Sequence, residues 1–120
     1  MLRYKALALQ VTCPAVNAVT TRREVTDLML QTIERLDAQI RASKAFIGRD
    51  TRLVVLPEYF LTSFPLGETI AQWRDKACIE IDGLIYQKLG EVAQRHDVFL
   101  AGNAYELDPH FPDLYFQTSF

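Results

Sequence analysis

The chain has little cysteine, little net charge and no long apolar run. It holds only two cysteines, Cys13 and Cys78, and neither belongs to a Cys-x-x-Cys pair of the kind that binds zinc or forms a redox disulfide. The net charge of −2 leaves no basic surface for nucleic acid or an anionic membrane. No apolar stretch reaches the roughly 18 residues of a membrane span, and the N-terminus has no signal-peptide cleavage site. We therefore expect a cytoplasmic protein without nucleic-acid or membrane partners.

The chain does have the composition of an ordinary globular domain. Apolar residues make up 49% of it and charged residues 23%, which is typical of soluble proteins with a packed core. A chain of 120 residues is long enough for one core and too short for two. Residues 1–120 are therefore expected to belong to a single domain.

Strand and helix patterns alternate in the first half of the chain. A continuous apolar run over residues 4–11 predicts a first strand covered on both faces. Residues 21–24 have the spacing of a capping box, and apolar residues then recur at three- and four-residue steps, which predicts a helix ending near Gly48. The apolar residues 53–56 predict a second strand, and Pro57 ends it because proline has no N–H to donate.

The second half continues this alternation. Residues 59–81 lack a regular pattern and predict a long loop with room for one short helix. Asp82 is the expected N-cap of a helix that runs to His96. Residues 98–106 predict a third strand that stops around Gly102, and residues 114–120 predict a fourth. This order is typical of an α/β fold with a mixed, mainly parallel sheet and covering helices. Because the last residue falls inside a strand pattern, we expect the chain to be cut from a longer protein.

One carboxylate stands out by its position. Glu58 follows the second strand directly, and parallel sheets bind ligands outside the carboxyl ends of their strands. A carboxyl group enclosed by apolar side chains loses hydration, which raises its pKa and suits it to carrying protons near neutral pH. Such a pocket is expected from the apolar neighbours Leu56, Tyr59, Phe60 and Phe64. The alternative is an exposed loop glutamate, or one paired with Arg52 or Arg74.

Four segments resemble the nitrilase superfamily of carbon–nitrogen hydrolases, in the family's order. LVVLPEYFLTSFP, residues 53–65, resembles its glutamate motif, and ALALQVTC followed by Asn17 resembles its first strand. LGEVAQRHDVFLAGNAYE, residues 89–106, resembles its helix and the strand that ends in glycine. DLYFQTSF resembles the strand where the family has Tyr-Asn, although Phe116 stands in place of the asparagine. The resemblance covers essentially the whole chain and implies the N-terminal part of a four-layer α-β-β-α sandwich.

The resemblance also implies a chemistry. In that family a cysteine thiolate attacks an amide or nitrile carbon, a lysine stabilises the developing charge, and a glutamate carries protons. The match gives Glu58 the proton-carrying role, whereas the family's lysine and cysteine follow the last strand and are missing from this chain. The chain alone is therefore expected to be inactive. The complete protein is expected to be a homo-oligomer that hydrolyses a small-molecule amide or nitrile with no metal or organic cofactor.

Other reactive side chains have structural explanations as well as functional ones. Tyr59 either lines the substrate pocket or packs in the core. A dyad of Cys13 with Glu58 is geometrically conceivable, but for both cysteines a buried structural thiol is the more common arrangement. His96 is explained by the helix dipole, and Glu106 is expected to be a loop charge past the third strand. No lysine lies at the position of the family's catalytic lysine; the chain's lysines are Lys5, Lys44, Lys76 and Lys88.

Two functions from other classes compete with the hydrolase. One is a self-contained flavodoxin-like module that binds a ligand at the strand ends. The other is a catalytically dead structural or regulatory relative of the hydrolases.

Overall fold

A computed structural model describes residues 3–120. The chain forms three helices and six strands within those residues, in a mixed α/β arrangement that confirms the expected fold class. The elements in chain order are β1 (Lys5–Ala8), α1 (Arg22–Ile47), β2 (Thr51–Val55), α2 (Ile70–Ala77), β3 (Ile79–Glu80), α3 (Leu84–His96), β4 (Phe99–Ala101), β5 (Asn103–Leu107) and β6 (Phe116–Ser119).

The described strands form two sheets of three strands each. In the first sheet, ordered β1-β2-β4, all neighbours are parallel. In the second, ordered β3-β5-β6, β3 is parallel to β5 and β6 is antiparallel to it. Two sheets with helices against them are compatible with part of an α-β-β-α sandwich. They are not the single doubly wound sheet that a flavodoxin-like module requires.

Helix α1 forms where the sequence predicts it. The Thr21 side chain accepts a hydrogen bond from the Glu24 N–H and so caps the first turn. Gly48 ends the helix with a φ of +136°, a conformation that glycine adopts without strain, and its N–H donates to the Lys44 carbonyl. The buried stripe recurs every three or four residues and consists of Val25, Met29, Thr32, Ile33, Leu36 and Ile40.

Residues 59–81, which were expected to form a long loop, contain more secondary structure than their irregular sequence pattern predicts. They contain the short helix α2, which begins with a full capping box between Thr69 and Gln72, and the two-residue strand β3. The expected cap of α3 is wrong: Gly83, not Asp82, is the N-cap, and it supplies no side-chain bond. The Asp82 carbonyl instead accepts from the Gln87 side chain, at 3.1 Å.

The third strand is divided at Gly102 between the two sheets. Strand β4 ends at Ala101, as expected, but the chain then continues as β5 in the second sheet. Gly102 permits this crossing, because a Cβ at that position would lie 2.8 Å from Phe120 Cζ and 3.1 Å from Phe60 Cε1. Gly102 and Phe120 also exchange backbone hydrogen bonds, both at 3.1 Å. The expectation that Glu106 lies in a loop is wrong, since it belongs to β5.

The first strand is not covered on both faces. Strand β1 lies at the edge of the first sheet, and Lys5, Ala6 and Ala8 are exposed. One face of this sheet carries Leu7 and Val54 toward the helices and the core, whereas its other face is open, with Phe99 78% exposed. The short apolar run therefore reflects an edge strand with one open face. None of the helices among residues 3–120 has the length and hydropathy needed to span a membrane.

Candidate active site at the end of strand β2

The turn after β2 holds an unusual backbone conformation. Hydrogen bonding in the first sheet continues to Leu56, whose N–H donates to the Ala101 carbonyl at 2.8 Å, and Pro57 then ends the strand. Tyr59 has a φ of +62°, which is strained for an aromatic residue and costs about 1–3 kcal/mol. The Tyr59 carbonyl accepts from the N–H groups of Thr62 and Ser63, at 3.3 and 2.9 Å. A compact turn thus presents Glu58.

The Tyr59 ring anchors this turn in an aromatic cluster. It stacks on Tyr105 with ring centroids 6.0 Å apart, and the Phe64 centroid lies 5.4 Å from it. Tyr105 is buried and meets Trp73 edge to face, so the cluster continues into the core. Tyr59 itself is half-buried. These contacts agree with the packing alternative for Tyr59, and they hold the backbone beside Glu58.

Glu58 is exposed, so the expected apolar pocket around it is wrong. Leu56 and Phe60 are buried in the core and do not enclose the carboxylate. Neither alternative partner reaches it, because Arg52 pairs with Asp97 and Arg74 pairs with its neighbour Asp75. Apolar side chains next to a strand end pack inward when helices cover that side, which leaves a polar neighbour facing outward.

One amide side chain from the second sheet, Gln117, reaches Glu58, and a second, Asn103, contacts Gln117. The Gln117 Nε2 group donates to Glu58 Oε1, and it also lies 3.4 Å from Asn103 Oδ1. Asn103 Nδ2 in turn donates to the Thr118 carbonyl at 3.3 Å. Asn103 pairs with Ser119 across the ladder, which places it diagonally opposite Gln117. We call the three side chains Asn103, Gln117 and Glu58 the amide relay.

Asn103 and Gln117 were not among the candidate residues predicted from the sequence. Period-two alternation places Gln117 on the β6 face that it shares with Tyr115 and Ser119, and this was visible in the sequence. The register of β6 against β5 was not visible, because it depends on where the chain crosses between sheets at Gly102. The signal available in the sequence was the presence of two amide side chains, Asn103 and Gln117, in otherwise largely apolar strand patterns.

Neither cysteine has the character of a nucleophile. The Cys13 thiol lies 4.0 Å from the backbone carbonyl of Glu58 and 3.9 Å from that of Val11. Burial raises the pKa of Cys13, which keeps the thiol protonated. Burial raises the pKa of Cys78 to about 12, and its thiol contacts the Trp73 carbonyl at 3.7 Å. Cys78 is therefore the buried thiol that its sequence context favoured, whereas Cys13 is only half-buried.

Each lysine is engaged away from Glu58. Lys5 pairs with Asp50, and Lys88 with Glu91, both at 2.9 Å. Lys44 donates to the His96 carbonyl. The remaining one, Lys76, is buried, which its sequence context did not indicate.

Lys76 lies at the centre of a polar cluster between helix α2 and residues 16–19. Its ammonium group contacts the carbonyls of Val16, Asn17 and Val19 at 3.2, 2.9 and 3.0 Å, and Glu68 Oε1 at 3.0 Å. The side chains of Lys76 and Glu68 are only 10% and 14% exposed. The cluster therefore joins helix α2 to the segment that precedes α1.

Glu68 is fully provided with hydrogen-bond donors. Burial raises the pKa of Glu68, but hydrogen bonds from Lys76 and from the Leu66 N–H outweigh it and lower that pKa to about 2. The Asn17 amide donates to both Glu68 oxygens, at 3.1 and 3.3 Å, and to the Phe64 carbonyl at 3.0 Å. An open cavity of about 690 Å³ borders this cluster. Because the charged groups of the cluster, Lys76 and Glu68, bind each other, we assign them a structural role.

The remaining candidates have local partners. Glu106 Oε2 accepts from the Tyr86 hydroxyl at 2.7 Å, and burial together with this contact raises the pKa of Tyr86. His96 ends α3 as expected, and its Nε2 lies 2.8 Å from Asp37 Oδ1. Within residues 3–120, no group of three or more His, Cys, Asp or Glu side chains is placed to hold a metal ion.

Comparisons with known proteins assign the family. No curated protein matched the chain. A family model described as carbon-nitrogen hydrolase matches residues 20–119. That span covers most of the chain and includes Glu58 and the other members of the amide relay. The chain therefore belongs to the carbon–nitrogen hydrolase family, within the nitrilase superfamily that its segments resemble.

Proposed function

We propose that Glu58 is the proton-carrying carboxylate of an enzyme that hydrolyses a small-molecule amide or nitrile. One observation carries the proposal: the strained turn at the end of β2 presents a carboxylate that is accessible to solvent and held by a hydrogen bond from Gln117. The carboxyl end of a parallel strand is where α/β proteins bind ligands. Family membership supports carbon–nitrogen bond hydrolysis as the reaction.

The proposed mechanism divides the reaction into two steps. Glu58 accepts the proton of a cysteine thiol, the thiolate attacks the amide carbon, and the Glu58 carboxyl returns the proton to the departing amine. Glu58 then takes a proton from water as the water oxygen attacks the thioester carbon, and it gives that proton to the departing thiolate, which releases the acid and the free thiol. A lysine ammonium offsets the charge on the oxygen of each tetrahedral intermediate. We propose that this lysine and cysteine belong to sequence beyond residue 120.

These 120 residues by themselves are proposed to be inactive. Lys5, Lys44, Lys76 and Lys88 all bind groups other than Glu58, and the raised pKa of Cys13 disfavours its thiolate. Turnover by this chain that disappears in Cys13→Ser would contradict the proposed division of residues. The complete enzyme is further proposed to be a cytoplasmic homo-oligomer that needs no metal or organic cofactor, as the composition and the family resemblance imply.

The test uses a protein that carries these residues together with the family's lysine and cysteine. Ammonia release is measured on a panel of small amides and nitriles. Glu58→Gln is expected to keep the fold and to lower kcat by about 10²–10⁴-fold, the usual contribution of a general acid–base group. Glu34→Gln, which changes an exposed glutamate of α1, is the matched control and should leave the rate unchanged. Near-normal turnover in Glu58→Gln would refute the assignment, and no turnover by the wild type on any substrate would favour the catalytically dead relative.

A further inference from the structure

The amide relay has a defined direction. Asn103 Nδ2 donates to the Thr118 carbonyl, so Asn103 Oδ1 is turned toward Gln117 as an acceptor. Gln117 Nε2 lies between two acceptors, Asn103 Oδ1 and Glu58 Oε1, and an NH₂ group has two N–H bonds to donate. Reversing the Gln117 amide would place its oxygen against two other oxygens. The backbone carbonyl of Thr118 therefore fixes the orientation of both amides.

This direction distinguishes the two oxygens of Glu58. Oε1 accepts a hydrogen bond from Gln117 Nε2, and protonation of Oε1 would weaken it as the acceptor of this bond. No described residue donates to Oε2, which faces solvent on an exposed side chain. With Oε1 engaged by Gln117, Oε2 is the oxygen that can exchange a proton without disturbing that hydrogen bond.

We propose that Gln117, oriented by Asn103, is a positioning residue that holds Glu58 Oε1 as a permanent acceptor and assigns the transferred proton to Oε2. The inference rests on the proposed function, since it gives Glu58 a proton to carry. In this proposal Gln117 contacts Glu58 and Asn103 and not the reacting carbon. It acts on the reaction by fixing the plane and the reacting oxygen of the carboxylate.

The relay itself is tested in the 120-residue chain by nuclear magnetic resonance. The heteronuclear NOE of the Gln117 side-chain NH₂ group is compared with those of Gln39 and Gln94, which are exposed glutamines of the same chain. Gln117 is expected to be as ordered as the backbone in the wild type and as mobile as Gln39 in Glu58→Ala. Ser119→Ala, on the same strand, is the matched control and should leave Gln117 ordered. A Gln117 side chain that is mobile in the wild type, or still ordered in Glu58→Ala, would overturn the relay.

The positioning role is tested by kinetics in the protein that contains the family's lysine and cysteine. Gln117→Leu is expected to lower kcat by about 10–100-fold while KM changes less than about twofold, because a misplaced reacting group costs rate without weakening substrate binding. Asn103→Ala should lower kcat less, since Gln117 keeps one of its two acceptors. Full kcat in Gln117→Leu, in a protein that Glu58→Gln inactivates, would overturn the positioning role and leave the proposed function intact. A wild type without turnover would instead refute the proposed function, and the NMR experiment alone would then decide whether the relay exists.

Discussion

Glu58 and Glu68 lie ten residues apart in the same connection and have opposite surroundings. The Glu58 carboxylate is exposed and is held on one oxygen by Gln117. The Glu68 side chain is only 14% exposed and receives donors from Lys76, Asn17 and the Leu66 N–H. Sequence context suggested burial for Glu58, yet Glu68 is the more enclosed of the two carboxylates. Burial here marks the carboxylate that stabilises the fold, not the one that is available for chemistry.

The difference follows from what each carboxylate must do. A buried charge persists only when its hydrogen bonds are complete, and a group with complete hydrogen bonds has no oxygen left for a reactant. Lys76 donates hydrogen bonds to Glu68 and to the backbone carbonyls around it, which holds helix α2 against the segment before α1. Glu58 keeps one oxygen unengaged among the described residues. Within one connection, the structural role of Glu68 is thus separate from the role proposed for Glu58.

The largest expected effect comes from breaking the buried pair. Lys76→Met would leave Glu68 charged and three backbone carbonyls without their donor, and loss of one partner of a buried ion pair typically costs about 3–5 kcal/mol. The free energy of unfolding is measured by chemical denaturation. Lys88→Met, at an exposed lysine of α3, is the control and should change stability by less than about 0.5 kcal/mol. The double variant Lys76→Met/Glu68→Gln should recover part of the loss, and a loss below about 1 kcal/mol in Lys76→Met would contradict the structural role of this pair.

The next effect is the pH dependence that Glu68 contributes. Its pKa is lowered from 4.5 to about 2 in the folded state, so its stabilising contribution is present above pH 4.5 and is lost as the pH falls toward 2. Unfolding free energies are compared between pH 6 and pH 2. The difference between wild type and Glu68→Gln should be constant above about pH 4.5 and should shrink below it. An unchanged difference at pH 2 would show that the Glu68 charge contributes nothing to stability.

Much of the fold could be predicted because local patterns determine it. The cap at Thr21, the buried stripe of α1 and the proline after β2 depend on neighbours in sequence, and all three were confirmed. The division of β4 from β5 depends on the Phe60 and Phe120 rings above Gly102, and the amide relay depends on strand register. Such long-range contacts leave no periodic trace. The position of Glu58 at the end of β2 was predictable because it depends on the local strand pattern and on Pro57. Its exposure was not predictable, because the helices packed on one side of the sheet decide which side chains turn inward.

A smaller effect is expected where the two sheets join behind Glu58. Gly102→Ala would place a methyl group against the Phe120 and Phe60 rings, and overpacking of this kind costs about 1–3 kcal/mol. Gly90→Ala is a matched control, because a Cβ there meets nothing within 4 Å and alanine stabilises a helix by about 1 kcal/mol relative to glycine. The midpoint temperature of thermal unfolding should therefore fall in Gly102→Ala and rise in Gly90→Ala. Equal shifts would mean that the crossing at Gly102 is not closely packed.

The smallest effect on stability is expected at Glu58 itself. Glu58→Gln should change the free energy of unfolding by less than about 0.5 kcal/mol, because the side chain is exposed and the new amide oxygen can still accept from Gln117. Glu68→Gln makes the same chemical change and should be clearly destabilising, because the charge that Lys76 compensates is removed from a buried site. Denaturation of the two variants side by side tests the comparison directly. A Glu58→Gln variant as unstable as Glu68→Gln would make Glu58 a structural carboxylate too, and its exposure would then no longer distinguish it as the proton carrier.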